Sequence, residues 1–477
     1  MPFSLELEGS NVSDYDLSDV IRPGLRRGLD FVNLDELRKR TGILAEDVLK
    51  FALGEMLCNA LDKPGASEIA IGVGVEGDFS SLEVKDNGGR KLTLSDIKLI
   101  FDFENKASSK RGFLRVSRGY LGNALKCIAG YSYALAENKG LNPPDVIVES
   151  GCFEYRVSLK PDRVKEVINT DIVTVERDDD GFTSFKVMFP KEYSSSPQVL
   201  KDIVFATSMV NPSRKISYNI FGEQRTLGSA EGGNATRQET SVLWYKQKEF
   251  VSLFEDYVRA RPETQLKQFI ALFRGFSSKK IIGEILQELT AIVNPNHDFQ
   301  PNENVQFFPA TPIKDLSEKT ILTLFKIMKA KSKPISKRSI KSVLGCIGQS
   351  FFEKLREQCG WDRLRYVIMP STRVECPASS FYHSVAEKLR CTNPDHVEFP
   401  YLIEIAVFDR GNDGEGLKVY QCVNFMASME DIFSRMYNIN YHLGRVGITK
   451  ESPVTVVAHL VCPVLKWLNY GKSGLDE

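Results

Sequence analysis

The chain is poor in histidine, has no excess charge of either sign and lacks any long apolar run. Its five histidines are dispersed, and its nine cysteines form no Cys-x-x-Cys pair and no His/Cys cluster, which excludes a structural zinc site of the usual spacing. Several cysteines lie within apolar segments, so reduced core thiols are expected rather than disulfides. The 62 basic and 62 acidic residues cancel, so no global field draws the molecule to nucleic acid and any such contact has to come from a local patch. No apolar stretch approaches the roughly 20 residues that span a bilayer. The opening Met1-Pro-Phe-Ser-Leu-Glu-Leu-Glu-Gly lacks the basic start and apolar core of a signal peptide. A cytoplasmic protein without a membrane segment is expected. No tyrosine stands in a recognisable nucleophile setting and no acidic cluster suits a pair of metal ions, so cleavage of a polymer is not expected.

At 477 residues and about 150 residues per domain, roughly three domains are expected. Residues 1–30 are polar and irregular with a basic spot at Arg22, Arg26 and Arg27, and read as an arm. From 31 to 215 helices alternate with strands, a mixed α/β sandwich. The pattern predicts a helix from Ala45 to Asp62, a hairpin from Glu68 to Lys85, a short helix at Asp96–Asp102 and a helix over 122–136. Further strands are predicted near 146–149, 154–159, 172–176 and 184–189. The hairpin contains Gly72-Val-Gly-Val-Glu-Gly77, which is no dinucleotide fingerprint because a strand and not a helix follows it. From 240 to 345 the pattern is helical. From 346 to 477 α/β character returns, with a hairpin expected from Pro400–Phe408 through the loop 409–416 to Leu417–Phe425. Gly471-Lys472-Ser473 is not a phosphate loop, since the position five before Gly471 is Lys466.

Two stretches carry candidate chemistry. In Phe51-Ala-Leu-Gly-Glu55-Met-Leu-Cys-Asn59-Ala-Leu-Asp62 the polar groups fall at offsets that one helical face collects, within an otherwise apolar run. That face is either a solvated stripe or a ligand site, because a buried helix does not carry carboxylates and an amide in register without a partner for them. Residues 326–341 hold seven basic residues in sixteen and no acid. They form either a solvated loop or a phosphate-contacting patch, with Lys329, Lys331, Lys333, Lys337 and Arg338 as the candidate nucleic-acid contacts.

The order of the remaining motifs narrows the first choice. After Glu55-x-x-x-Asn59-x-x-Asp62 come Asp86-Asn-Gly88, then Ser117-Arg118-Gly119-Tyr120-Leu121-Gly122-Asn123-Ala-Leu-Lys126, then Asp180-Gly-Phe-Thr183. This series resembles the ATP site shared by gyrase B, heat-shock chaperones, histidine kinases and MutL, the GHKL ATPases. Ser108-Ser109-Lys110 before the glycine-rich stretch, and Leu344-Gly-Cys-Ile-Gly-Gln, Phe399-Pro-Tyr-Leu-Ile-Glu-Ile-Ala and Val419-Tyr-Gln-Cys-Val-Asn424 later on, look like the topoisomerase VI B subunit and its bacterial relatives.

The resemblance implies an α+β chain made of a Bergerat-type α/β sandwich, a helix-two-turns-helix-like middle domain and a C-terminal transducer-like domain. It implies ATP with Mg²⁺ as cofactors. Glu55 is the expected general base, Asn59 the Mg²⁺ ligand, and Asp86 the acceptor from the adenine amino group, supported by Thr183. Gly88 is expected to allow close approach of the base. Asp62 completes the acidic helix, and Ser108, Ser109, Lys110, Arg118 and Gly119 through Asn123 form a lid around the phosphates. Lys126 is either a further phosphate contact or an exposed helical lysine. Lys472 is the expected transducer lysine at the γ-phosphate, with Lys466 a poorer match. The implied partners are duplex DNA, a separate A-type DNA-cleaving subunit and a second copy in an ATP-dependent homodimer. The family's C-terminal helix for docking that subunit has no counterpart, and this favours the alternative of an ATP-switched clamp or scaffold in a DNA-repair or defence assembly. A protein kinase is disfavoured, because no phosphoacceptor histidine precedes the Glu55 helix.

Overall fold

A computed structural model describes residues 28–104, 113–116, 123–228, 239–293, 306–375, 395–411, 415–428 and 438–465. The first domain begins with helices α1 (Leu34–Thr41) and α2 (Val48–Leu61). The expected hairpin follows as β1 (Glu68–Glu76) and β2 (Phe79–Asp86), paired antiparallel up to Glu76 opposite Phe79. The tight connection places Gly77 at φ 61°, a left-handed position that suits glycine. Then come α3 (Leu94–Ile100), α4 (Ala124–Asn138), β3 (Val146–Ser150), β4 (Phe153–Asp162), β5 (Val167–Glu176), β6 (Thr183–Pro190) and α5 (Pro197–Met209). The sheet is completed by β7 (Lys215–Ile220) and β8 (Glu223–Leu227) in the order β5-β4-β3-β6-β2-β1-β7-β8. Its one parallel pairing is β1 with β7.

Alternation along these strands sends Ile69, Ile71, Val73, Leu82, Val84, Val148, Val157, Val187, Ile216 and Tyr218 into a core. α2 packs there on β2, α4 on β6 and α5 on β7. The result is the expected α/β sandwich, with two differences. The sheet continues to Leu227, past the limit of 215 read from the sequence, because β7 joins this sheet beside β1, one strand in from its edge, instead of starting a new unit. Helix α5 was not expected, although Ser196 at its cap and Pro197 in its first turn are ordinary start signals.

The helical region holds α6 (Gln247–Ala260), α7 (Leu266–Ile270), α8 (Lys279–Val293), α9 (Glu318–Lys331) and α10 (Ile340–Leu344). Rings bind it together: Phe250 lies 4.7 Å from Phe325 and Phe254 lies 4.8 Å from Phe269 between centroids. The same core runs on into the last region through Phe352, Leu402 and Phe408.

That last region contains α11 (Gln349–Cys359), β9 (Arg363–Glu375), β10 (Val397–Asp409), β11 (Lys418–Val423), β12 (Met426–Ala427), α12 (Ile439–Arg445) and β13 (Val454–Val461). The strand order is β12-β11-β13-β10-β9. The expected β10–β11 hairpin is therefore absent. β13 lies between the two strands, antiparallel to β10 and parallel to β11. Its sequence, Val-Thr-Val-Val-Ala-His-Leu-Val, is buried over most of its length, which suits a central strand covered on both faces better than either neighbour would.

The two sheets meet at the turn before β12. Asn211 Nδ2 donates to the carbonyls of Thr207 and Phe425, each at 2.7 Å, and β12 packs against both α5 and α2. No helix among the described residues is long and apolar enough to cross a membrane.

Candidate functional site

Helix α2 is buried at twelve of its fourteen positions. Glu55 is among them at 6% exposure, while Asn59 one turn later and Asp62 at the C-cap are half-buried. The face read from the spacing thus emerges from the core along the helix, with its carboxylate deepest. Glu55 lies within electrostatic reach of the Cys127 thiol in the first turn of α4, as do Lys126 and Arg40, and burial pushes that thiol up to about 12. The helix carrying Glu55 packs against α4, which begins at the end of the glycine-rich stretch.

Asp86 closes β2 and is 3% exposed. Its Oδ1 accepts from the Gly88 amide at 3.1 Å and its Oδ2 from Lys63 Nζ at 2.7 Å. Burial pushes the carboxyl up from its ordinary range, against the opposing pull of Lys63 and the Gly88 amide. Lys63 was not read from the sequence as a site residue. Its position directly after Asp62 was the available signal, but a pairing across 23 residues needs the fold.

Thr183 stands opposite Asp86 in the β2–β6 register, and its hydroxyl pairs with Ser150 Oγ at 3.0 Å. At Gly88 a Cβ would stand 2.6 Å from Ala66 Cβ and 2.7 Å from Ala66 N, so the missing side chain admits the turn after α2.

Asn123 is buried at the cap of α4 and makes no side-chain cap hydrogen bond. The helix's first amides thus receive no acceptor from that side chain, which suits an anion. Of the two alternatives for Lys126, the exposed helical lysine is excluded by its burial. It is 1% exposed, and its ammonium donates to the Asp102 carbonyl. Ser108, Ser109, Lys110, Arg118, Gly119, Tyr120, Leu121, Gly122, Lys466 and Lys472 lie outside the described residues, as does the arm up to residue 27.

Phe113–Val116, which precedes the glycine-rich stretch, is fixed to the helical region. The Leu114 amide donates to the Tyr245 hydroxyl at 2.7 Å, Phe113 meets Tyr257 edge-on at 6.0 Å, and Val116 is 3% exposed in the shared core. Arg115 lies within electrostatic reach of Asp62. This strap also went unread in the sequence, where the whole stretch shows no apolar period.

The basic stretch divides. Lys329 is buried, donates to the Tyr245 carbonyl at 3.0 Å and lies 4.9 Å over the Phe325 ring. Desolvation pushes it down to about 8, so the expected nucleic-acid contact at Lys329 is corrected to a core lysine. Lys331 pairs with Glu288 at 2.9 Å. Lys333, Lys337 and Arg338 are exposed.

No group of three or more His, Cys, Asp or Glu among the described residues could hold a metal ion. A single Asn59 oxygen beside a buried Glu55 suits Mg²⁺, which keeps several waters and is carried largely by phosphate oxygens.

No family model matches the chain, and no curated protein matches it. Among solved structures it is similar to the ATPase region of Saccharomyces cerevisiae topoisomerase II, at a TM-score of 0.35 and 10% identity over 90% of this chain and 76% of that one. It is also similar to that ATPase region bound to ICRF-187 (dexrazoxane), at a TM-score of 0.34 and 10% identity over 89% of this chain and 77% of that one.

Proposed function

We propose that the chain binds and hydrolyses ATP between α2 and α4. The observation that supports this reading most is the buried Glu55, set against the first turn of α4 and one helical turn before the half-buried Asn59. Hydrolysis of a phosphoanhydride needs a positioned base for water, neutralisation of phosphate charge and donors to the phosphate oxygens. Glu55 takes the first role. Asn59 would supply an oxygen to Mg²⁺, whose charge would offset that of the phosphates. The first amides of α4 face the phosphates and Asp86 receives the base, while the phosphate role of Gly119 and Gly122 comes from the motif resemblance alone.

The sequence motifs extend this reading to the ATP-operated B-type subunit of a type IIB topoisomerase. In it, ATP favours a homodimer that gates passage of a DNA duplex, and a separate A-type subunit cuts the DNA. A ligand shifts such an equilibrium only through differential affinity for the two states, and Lys472 at the γ-phosphate would supply that difference. Phosphate release measured on wild type and on Glu55→Gln tests the ATPase. Turnover in the first and its loss in the second are expected, and equal rates would remove Glu55 from the mechanism. Supercoil relaxation by the chain mixed with an A-type subunit tests the gate. Activity confined to the mixture is expected, and none in any combination would contradict it.

A further inference from the structure

A nucleotide held as proposed brings its base to Asp86, and the role of the neighbouring Lys63 rests on that reading. Lys63 Nζ sits 2.7 Å from Asp86 Oδ2, and hydrogen bonds from backbone amides hold the turns that carry the two residues together. The turn carrying Lys63 is laced to the turn after β2, since Gly89 N donates to the Pro64 carbonyl at 2.8 Å while Asn87 Oδ1 accepts from Ser67 N at 2.9 Å and Glu68 N at 3.0 Å. A side chain at Gly88 would break this lacing.

Neither charged group is saturated by the other. An ionised carboxylate has about four acceptor directions, and the Gly88 amide and Lys63 take two of them. The Lys63 side chain keeps 22% exposure against 4% for Asp86, so the lysine is the more open member of the pair. A fixed acceptor with a fixed donor beside it complements a heterocycle edge that offers an N–H next to a ring nitrogen lone pair. The 6-amino group and N1 of adenine form such an edge. Guanine carries the donor and acceptor in the reverse order.

We infer that Lys63 is a specificity-determining residue of the nucleotide site, donating a hydrogen bond to adenine N1 while Asp86 accepts from the 6-amino group. The bland alternative is an ion pair that merely pins the turn after α2. Calorimetric titration of the full chain with Mg·ATP and with Mg·1-deaza-ATP, whose N1 is replaced by C–H, separates the two. A charge-assisted hydrogen bond in a half-buried site is worth about tenfold in affinity or more. Wild type is therefore expected to bind ATP about tenfold tighter than the deaza analogue. Lys63→Met is expected to lose that preference while still binding both nucleotides, and Lys63→Arg, which keeps charge and donors, to retain it.

Equal affinity of wild type for the two nucleotides would overturn the role of Lys63 and leave the ATP site standing. An undiminished preference in Lys63→Met would overturn it as well. The wild-type comparison needs no variant, so it decides even if Lys63→Met does not fold. Binding of neither nucleotide by folded wild type would instead overturn the underlying ATP reading.

Discussion

Glu55 is the residue on which the proposed chemistry turns. Loss of a positioned general base costs about 10²- to 10⁴-fold in rate. Glu55→Gln is predicted to lower phosphate release by that order while calorimetry still shows ATP binding. The spacing of Glu55, Asn59 and Asp62 was readable in the sequence because a helix converts offsets into a face. The lysines were not, because a lysine is assumed to be exposed unless the fold shows otherwise. Lys63, Lys126 and Lys329 each have a partner distant in sequence: Asp86, the Asp102 carbonyl and the Tyr245 carbonyl.

Lys329 gives a prediction with a definite sign. Its folded value is lowered to about 8 from an ordinary 10.5, so between these values the unfolded chain binds more protons. Stability contributed by its neutral form is therefore gained as pH rises through that window, by at most about 3 kcal/mol. Urea denaturation from pH 8 to pH 10.5 is expected to show this rise in wild type relative to Lys329→Met. Parallel curves would contradict the burial.

Close approaches between elements test the placement of the site. Gly130, in the middle of α4, would put a Cβ 1.8 Å from the Phe31 carbonyl oxygen, and Gly88 would put one 2.6 Å from Ala66 Cβ. Both obstacles are held by packed backbone. Gly88→Ala and Gly130→Ala are each predicted to cost about 1–3 kcal/mol or more, read as a fall in denaturation midpoint, although alanine is otherwise the better helix former at Gly130. At this scale the β1–β2 hairpin and most helices were readable from period and turn residues. The β10–β11 hairpin was expected in error because local alternation cannot show which later strand will be inserted. β13 supplies that strand after a gap in which α12 lies. Helix α5 was missed for a related reason, since it packs on β7 and β12, elements that come after it in the chain.

Across the whole molecule, the helix carrying Glu55 touches the C-terminal sheet through β12, and Asn211 clasps the same turn from α5's end. Asn211→Ala leaves the buried Phe425 carbonyl without this donor, at a cost of about 1–3 kcal/mol. Denaturation is predicted to show the lower midpoint. The changes of period along the chain mark the two sheets and the helical stretch between them, whereas the shared core of the middle and last regions was not readable.

If Lys333, Lys337 and Arg338 bind DNA phosphates, neutralising all three lowers the log–log salt slope of binding by about 0.9 for each phosphate that then keeps its counterions. Neutralising the buried Lys329 leaves the slope unchanged. An unaltered slope in the triple variant would assign the stretch to solvent.

The most direct measurement is calorimetric titration of Mg·ATP into the full chain, with Asp86→Asn beside it. Saturable binding at about millimolar affinity or tighter in wild type, weakened about tenfold or more in Asp86→Asn, is the predicted result. Folded wild-type protein that takes up no nucleotide at millimolar concentration would contradict the account.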